Sequence, residues 1–135
     1  MLKVFVDTAA WIALVNTRDS LHSRAQQVIR GLREQNALLV TSEFVFLEVA
    51  NSLSAPAFRT QAIELIDGLR ILPNLLIADA DTTLLAEGMN LYRARLDKEW
   101  SLTDCTSFIV MQRELIAQAF TSGHHFEQAG FVILL

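Results

Sequence analysis

Cysteine, proline and glycine are all scarce in this chain of 135 residues, which has one cysteine (Cys105), two prolines (Pro56 and Pro73) and five glycines. A single cysteine excludes an internal disulfide, and it fits a reducing compartment. The few prolines and glycines form no run that would indicate a linker, and no repeat is present. We therefore expect one domain that spans residues 1–135.

Long apolar runs and an excess of positive charge are also absent. The longest uncharged apolar runs, such as residues 9–15, are too short to cross a bilayer. Asp7 interrupts the apolar start of the chain, and no signal-peptide cleavage pattern follows, so we expect a soluble cytoplasmic protein. A net charge of −4 argues against a protein that coats nucleic acid, but it leaves open an enzyme acting on nucleic acid at one local site.

What the sequence does contain is an alternation of short apolar strands with longer helical segments. The pattern predicts strands over residues 2–6, 37–40, 75–78, 117–121 and 131–134. It predicts N-caps at Thr8, at Thr41 or Ser42, at Asp81 or Thr82, and at Ser101 or Thr103, with Pro56 opening a further helix. Such alternation predicts an α/β domain with a mostly parallel sheet of about five strands covered on both faces.

Ligands of such folds bind beyond the carboxyl ends of the strands, and Asp7 follows the first predicted strand directly. This aspartate could simply favour the dipole of the next helix. A phosphatase with an aspartate nucleophile would need a second aspartate two residues later, where this chain has Ala9. The acidic cluster and late lysine of a receiver domain are missing as well. Position alone leaves the capping and functional interpretations of Asp7 equally open.

Two further carboxylates lie on predicted helices. Glu48 belongs to a helix that is apolar nearly all round, so we expect the helix to be largely buried and Glu48 to need a partner or a cation. Glu43 is a weaker candidate, because it lies in the first turn of the same helix. Asp104 forms a predicted capping box with Ser101, which would explain it without any function.

Asp7, Glu48 and Asp104 come from separate segments, so they can meet only in the folded chain. Three adjacent carboxylates repel one another unless a cation neutralises them. Oxygen ligands without a nearby set of cysteines and histidines favour Mg²⁺, or Mn²⁺, over zinc. Such an ion can activate water at a phosphodiester.

Together these segments resemble a PIN-domain protein, and more narrowly a VapC-type toxin of a toxin–antitoxin pair. The resemblance covers nearly the whole chain and is carried by Val4-Phe-Val-Asp-Thr8 with Trp11, Phe44-x-x-x-Glu48, Trp100-Ser-Leu-Thr-Asp-Cys105, and Thr121-x-x-x-His-Phe126 with Gly130-Phe131. It implies a three-layer α/β/α fold and a Mg²⁺-dependent endoribonuclease acting on tRNA or another structured RNA. It assigns the metal and the catalysis to Asp7, Glu48 and Asp104, with Thr8 and Ser101 as supporting hydroxyls.

One position departs from the family pattern. The usual fourth acid, in a Thr-x-Asp-x-His-Phe pattern, falls on Gly123. The loop therefore predicts a vacated acid position, and it opens the alternative of a catalytically impaired module that keeps antitoxin binding. The adjacent His124 and His125 point different ways in most backbones, so we interpret them as structural and assign neither as a general base.

The resemblance also implies partners: a VapB-type antitoxin, which would carry the DNA binding, and a second copy of the chain in a homodimer. The apolar helices around Phe44, Phe46, Leu53 and Phe58 are the predicted interface. Candidates for contact with RNA phosphates are Arg18, Arg59, Arg93, Arg95 and Lys98. A more distant alternative is an unrelated α/β hydrolase of a small phosphoester, which would need a closed, deep pocket.

Overall fold

The structure is a computed structural model that describes residues 1–135. Its elements, in chain order, are β1 (Lys3–Val6), α1 (Thr8–Val15), α2 (His22–Glu34), β2 (Leu38–Ser42), α3 (Glu43–Ser52), α4 (Arg59–Arg70), β3 (Leu75–Ala78), α5 (Thr82–Ala94), α6 (Leu102–Arg113), β4 (Gln118–Phe120), α7 (His124–Gln128) and β5 (Val132–Ile133).

The five strands form one sheet in the order β3-β2-β1-β4-β5. Every neighbouring pair is parallel, and β1 lies in the middle, where Val4 pairs with Leu39 on one side and Gln118 on the other. Val4, Phe5 and Val6 are wholly buried, as expected for a strand covered on both faces. The predicted three-layer α/β/α fold with a parallel sheet of five strands is confirmed.

Aromatic packing fixes the helices that follow β3 to the sheet. The ring of Phe126 on α7 stacks against Phe5, and its centroid lies 4.9 Å from that of Phe108 on α6. Trp100 packs edge-on against Phe108 at 5.0 Å. These contacts hold the first turn of α6 and the loop after β4 close to the end of β1.

The N-cap residues predicted from the sequence mark most helix starts correctly. The side chains of Ser42, Asp81 and Ser101 accept backbone N–H bonds at the starts of α3, α5 and α6. None of the helices is both long enough and apolar enough to cross a bilayer.

Two local predictions were wrong, and one element was missed. Asp7, not Thr8, is the N-cap residue of α1, and its side chain makes no capping bond. Pro56 does not open α4, because the chain first turns with a hydrogen bond from the N–H of Phe58 to the carbonyl of Ala55, and the helix begins at Arg59. The short helix α7 was not predicted.

Candidate active site at the carboxyl edge of the sheet

Asp7 lies where β1 ends, at the centre of the sheet's carboxyl edge. Its N–H donates to the carbonyl of Phe120 at the end of β4, and its carbonyl accepts from Ala10 and Trp11. The side chain is 7% exposed. The hydroxyl of Thr121 donates to Asp7 Oδ2 at 3.0 Å, which orients the carboxylate away from a capping position.

Burial raises the pKa of Asp7 to about 7, and two acids add to this shift. Hydrogen bonds from the backbone of Thr8 and the side chain of Thr121 oppose the shift, whereas the charges of Glu48 and Asp104 raise the pKa further. The fold therefore brings the three predicted carboxylates into one electrostatic cluster. We call Asp7, Glu48 and Asp104 the carboxylate cluster.

Asp104 occupies the first turn of α6 and makes the predicted capping box. Ser101 Oγ accepts the N–H of Asp104 at 3.0 Å, and Asp104 Oδ2 accepts the N–H of Ser101 at 3.1 Å. The same Oδ2 lies 2.9 Å from His125 Nδ1. The cap and the histidine both use one oxygen, so Oδ1 makes no hydrogen bond within the chain and can face a ligand.

Glu48 is less buried than the apolar sequence of its helix predicted. One face of α3 is open, with Leu47 58% exposed, and Glu48 is half-buried. Glu48 forms no hydrogen bond or ion pair. Glu43 differs, because it accepts from the Arg70 guanidinium and from the N–H of Ala80, both at 2.9 Å. Glu43 thus has a structural role, and Glu48 remains the unpaired acid of α3.

Thr121 was noted in the sequence only as part of the family pattern, and its role at the site was missed. Its buried hydroxyl donates to Asp7 and accepts the N–H of Gly123 at 3.0 Å. The available signal was a hydroxyl at the end of a strand that neighbours β1, and it could be used only once the strand order was known. Thr121 joins the loop after β4 to the carboxylate cluster.

Gly123 lies within reach of the carboxylate cluster. A Cβ atom at this position would lie 3.3 Å from Thr121 Oγ1, the oxygen that contacts Asp7. The backbone of Gly123 has φ −74° and ψ 115°, which any residue can adopt. A side chain at position 123 would therefore strain no backbone torsion, but its Cβ would lie closer to Thr121 Oγ1 than is usual, so the hydroxyl would have to shift by a few tenths of an ångström. A carboxylate there would lie beside the contact between Thr121 and Asp7.

The two histidines of this loop behave differently. His124 is exposed, whereas His125 is half-buried against Asp104, 21 positions earlier in the chain. His125 therefore helps to hold Asp104, which agrees with a structural role. The expectation that the two histidines point different ways was wrong, because their rings lie edge to face with centroids 4.5 Å apart.

The two hydroxyls that were predicted to support the site, those of Thr8 and Ser101, differ in their hydrogen bonds. Thr8 Oγ1 is buried and has no hydrogen-bond partner. A buried hydroxyl without a partner is unusual, and this one directly follows Asp7 in the chain. The Ser101 hydroxyl accepts the N–H of Asp104 and caps α6.

The donor set of the cluster fits a hydrated hard cation. No group of three acidic, histidine or cysteine side chains is close enough to enclose a metal ion, although the three carboxylates act on one another electrostatically. Both findings are compatible with Mg²⁺, which usually keeps several waters and takes only one or two carboxylates directly. Asp7, Glu48 and Asp104 are the residues that would hold it.

Most of the basic residues that were predicted to contact RNA phosphates already contact other groups of the chain. Arg95 makes two 3.0 Å hydrogen bonds to Asp97, Arg93 donates to Asn90, and Arg59 donates to the carbonyl of Ser54. Lys98 lies 3.9 Å from Asp97. Arg18 is exposed, and its side chain has no partner.

Half of the predicted partner surface is buried. Phe46 and Leu53 lie in the core, so they cannot contact another protein directly. Phe44 is half-buried and Phe58 is exposed. The exposed apolar side chains on α3 and α4 include Leu47 and Ile63, which sequence reasoning did not select.

The acids do not lie in a deep pocket. None of the five main cavities is lined by a member of the carboxylate cluster. This disfavours the alternative of a small-phosphoester hydrolase and fits a site that accepts an extended substrate.

Comparison with known proteins places these features in context. A family model described as the PIN domain matches residues 4–132. The chain is 26% identical over 129 residues to the 23S rRNA-specific endonuclease VapC20 from two strains of Mycobacterium tuberculosis, covering 96% of this chain and 95% of the relative.

Solved structures show the same fold. The crystal structure of Mycobacterium tuberculosis VapC20, a Sarcin-Ricin loop cleaving toxin, matches with a TM-score of 0.83 at 26% identity over 96% of each chain. VapBC2 from Rickettsia felis, bound to a DNA fragment from its promoter, matches with a TM-score of 0.71 at 14% identity over 98% of this chain and 97% of the other. FitAcB from Neisseria gonorrhoeae matches with a TM-score of 0.68 at 15% identity over 98% of this chain and 96% of the other.

Proposed function

Because the chain belongs to the PIN-domain family, we propose that it is a VapC-type endoribonuclease that uses a divalent cation. The carboxylate cluster is the observation that carries this proposal: three acids from β1, α3 and α6 converge, and burial with mutual repulsion raises the pKa of Asp7 to about 7. The curated relatives are named as rRNA endonucleases, which supports the reaction class. Their substrate favours a structured ribosomal RNA over tRNA.

We propose Mg²⁺, with Mn²⁺ as a substitute, as the cofactor of Asp7, Glu48 and Asp104. When bound, such an ion lowers the pKa of coordinated water and offsets charge on the scissile phosphate. Thr121 fixes the orientation of Asp7, and His125 with Ser101 fixes Asp104 through its Oδ2 atom. These contacts keep Asp104 Oδ1 turned to the substrate side and reduce the reorganisation needed when RNA binds.

The test is cleavage of ribosomal RNA in Mg²⁺ by the wild-type chain and by the variants Asp7→Asn and Asp104→Asn. Loss of an outer partner of a metal ligand already costs roughly 10- to 100-fold, so each variant should lose at least about 100-fold in rate. Asp67→Asn, an exposed carboxylate on α4 without a partner, is the matched control and should cleave normally. Cleavage that persists in both cluster variants would refute the proposal.

The second candidate is a catalytically impaired module that keeps antitoxin binding, and the geometry at Gly123 favours testing it. Gly123→Asp restores a carboxylate beside Thr121, whereas Gly123→Asn fills the same space without charge. If a ligand is missing, the aspartate variant alone should cleave faster at low Mg²⁺. Equal rates for three active proteins would show that the fourth acid is dispensable here.

We also propose a VapB-type antitoxin as partner, bound over the exposed apolar side chains of α3 and α4, and a homodimer of this chain. A protein partner is supported by three large apolar side chains on α3, on α4 and in the turn between them, since Leu47, Phe58 and Ile63 are 58%, 40% and 58% exposed. Light scattering of the isolated chain reports the oligomeric state. Co-purification of Leu47→Glu with the antitoxin from the same locus tests the partner surface, and unchanged capture would exclude it.

A further inference from the structure

A cavity of about 260 Å³ lies between the end of α5 and the start of α6, next to the carboxylate cluster but outside it. Its lining includes Tyr92, Arg95, Lys98, Glu99, Trp100 and Cys105. Cys105 directly follows Asp104, so the cavity and the cluster lie on either side of the first turn of α6.

The walls of this cavity include two flat groups, an exposed aromatic ring and a guanidinium that is held in place. The Tyr92 side chain is 46% exposed. The Arg95 guanidinium is fixed by two hydrogen bonds to Asp97 and lies 5.0 Å from the centre of the Trp100 ring. Aromatic rings and fixed guanidinium groups are the surfaces on which unpaired bases stack.

The polar groups of the cavity match the edge of a base better than a run of phosphates. Two cations, Arg95 and Lys98, are balanced by Asp97 and Glu99, so bulk charge does not attract a polyanion here. Glu99 has no hydrogen bond or ion pair, and a carboxylate accepts from the amino groups of bases. Trp100 is buried, its Nε1 donates to Gln128 at 3.0 Å, and Arg95 lies over its ring, so it supports Arg95 and leaves contact with a base to the exposed Tyr92 and Glu99. Lys98, with its loose 3.9 Å contact to Asp97, is available to one phosphate.

We propose that this cavity is a subsite for one unpaired, amino-bearing nucleobase of the RNA substrate, adjacent to the bond that is cut. The inference rests on the proposed ribonuclease function and adds where a neighbouring nucleotide binds. Tyr92 stacks on the base, Glu99 accepts from its amino group, and Lys98 contacts its phosphate. Guanine, adenine and cytosine each offer Glu99 an exocyclic amino group, whereas uracil offers only its ring N3–H, whose two flanking carbonyl oxygens repel a carboxylate.

Titration of the metal-free wild-type chain with GMP, AMP, CMP and UMP, followed by amide chemical shifts, tests the subsite. The three amino-bearing nucleotides should shift the amides of residues 92–105 and bind more tightly than UMP. Since stacking on an aromatic side chain is worth about 1–3 kcal/mol per base, Tyr92→Ala should weaken binding roughly ten-fold or more. Tyr92→Phe should retain it, and Phe58→Ala, an exposed aromatic outside the cavity, should change nothing.

Glu99→Gln tests the base preference separately. A side-chain amide donates as well as accepts, so this variant should bind UMP about as well as CMP. The absence of shifts with all four nucleotides, or binding that is unaffected by Tyr92→Ala, would overturn the subsite. The titration contains no metal and no cleavage, so it fails independently of the ribonuclease proposal.

Discussion

Thr121 links the end of β1 to the loop after β4 through a single hydroxyl. The oxygen donates to Asp7 and accepts from Gly123, so it connects an acid that is present with the position where a fourth acid is vacated. Asp7 could be selected because it follows a predicted strand, and Gly123 because of its place in the family pattern Thr-x-Asp-x-His-Phe. Thr121 begins that pattern, but its contact with Asp7 could not be predicted, because it depends on β1 and β4 being neighbours with Val6 opposite Phe120.

The raised pKa of Asp7 predicts how stability depends on pH in the absence of metal. The folded chain holds the Asp7 proton more tightly than the unfolded chain does, so the contribution of Asp7 to stability is highest below about pH 4 and falls as the pH rises towards about 7. The shift corresponds to a loss on the order of 4 kcal/mol. Asp7→Asn removes the titrating group. Its Tm should therefore exceed that of the wild type by an amount that grows from pH 5 to pH 8.

Thermal unfolding in EDTA at several pH values measures this difference. Asp67→Asn, which replaces an exposed carboxylate on α4, should follow the wild-type pH profile. Parallel profiles for wild type and Asp7→Asn would mean that burial does not raise the pKa of Asp7. Mg²⁺ should raise the wild-type Tm more at pH 8 than at pH 5, because cation binding favours the ionised carboxylate.

At the scale of elements, helix starts lie where the N-cap residues predict them, except where a tertiary contact takes the capping side chain. Ser42, Asp81 and Ser101 cap their helices as predicted, because each side chain reaches the amides of its own first turn. Asp7 does not use its side chain as a cap, because Thr121 holds the carboxylate elsewhere. The five residues of α7 are too few for a periodic signal, and the packing of Phe126 against Phe5 and Phe108 holds them.

The end of α6 carries a residue that suits its conformation poorly. Leu115 has φ 56°, is 91% exposed, and follows a helix end in which the N–H of Ile116 donates to the carbonyl of Met111. This left-handed position favours glycine. The equivalent position after α2 is occupied by Asn36 at φ 53°, a residue that tolerates the conformation.

Leu115→Gly should therefore stabilise the chain by about 1 kcal/mol, because it relieves the strained backbone while losing no buried surface. Asn36→Gly is the matched control and should change stability by only a few tenths of a kcal/mol, since about that much separates asparagine from glycine here. Urea unfolding of both variants measures the difference. A destabilised Leu115→Gly would show that this side chain makes a contact absent from the isolated chain.

At the scale of the whole molecule, the site exists because β1 lies in the centre of a parallel sheet. Its neighbours β2 and β4 lead into α3 and into the loop of Thr121, which places Glu48 and Gly123 near Asp7. The alternation of strands and helices predicts that such an edge exists, whereas the strand order and the open face of α3 depend on tertiary packing. The three acids could therefore be predicted from the sequence. The predicted burial of Glu48 was too high, and Phe46 and Leu53, which were predicted to lie at an interface, are buried in the core.

The measurement that tests the central claim most directly is the paramagnetic effect of Mn²⁺ on the amide spectrum of the chain. If Asp7, Glu48 and Asp104 form one cation site, substoichiometric Mn²⁺ should broaden the amides beside all three residues and those of residues 121–123 together. Excess Mg²⁺ should reverse the broadening, and Asp7→Asn should abolish it. Broadening centred elsewhere, or none at all, would contradict the account of a shared cation site at the carboxyl edge of the sheet.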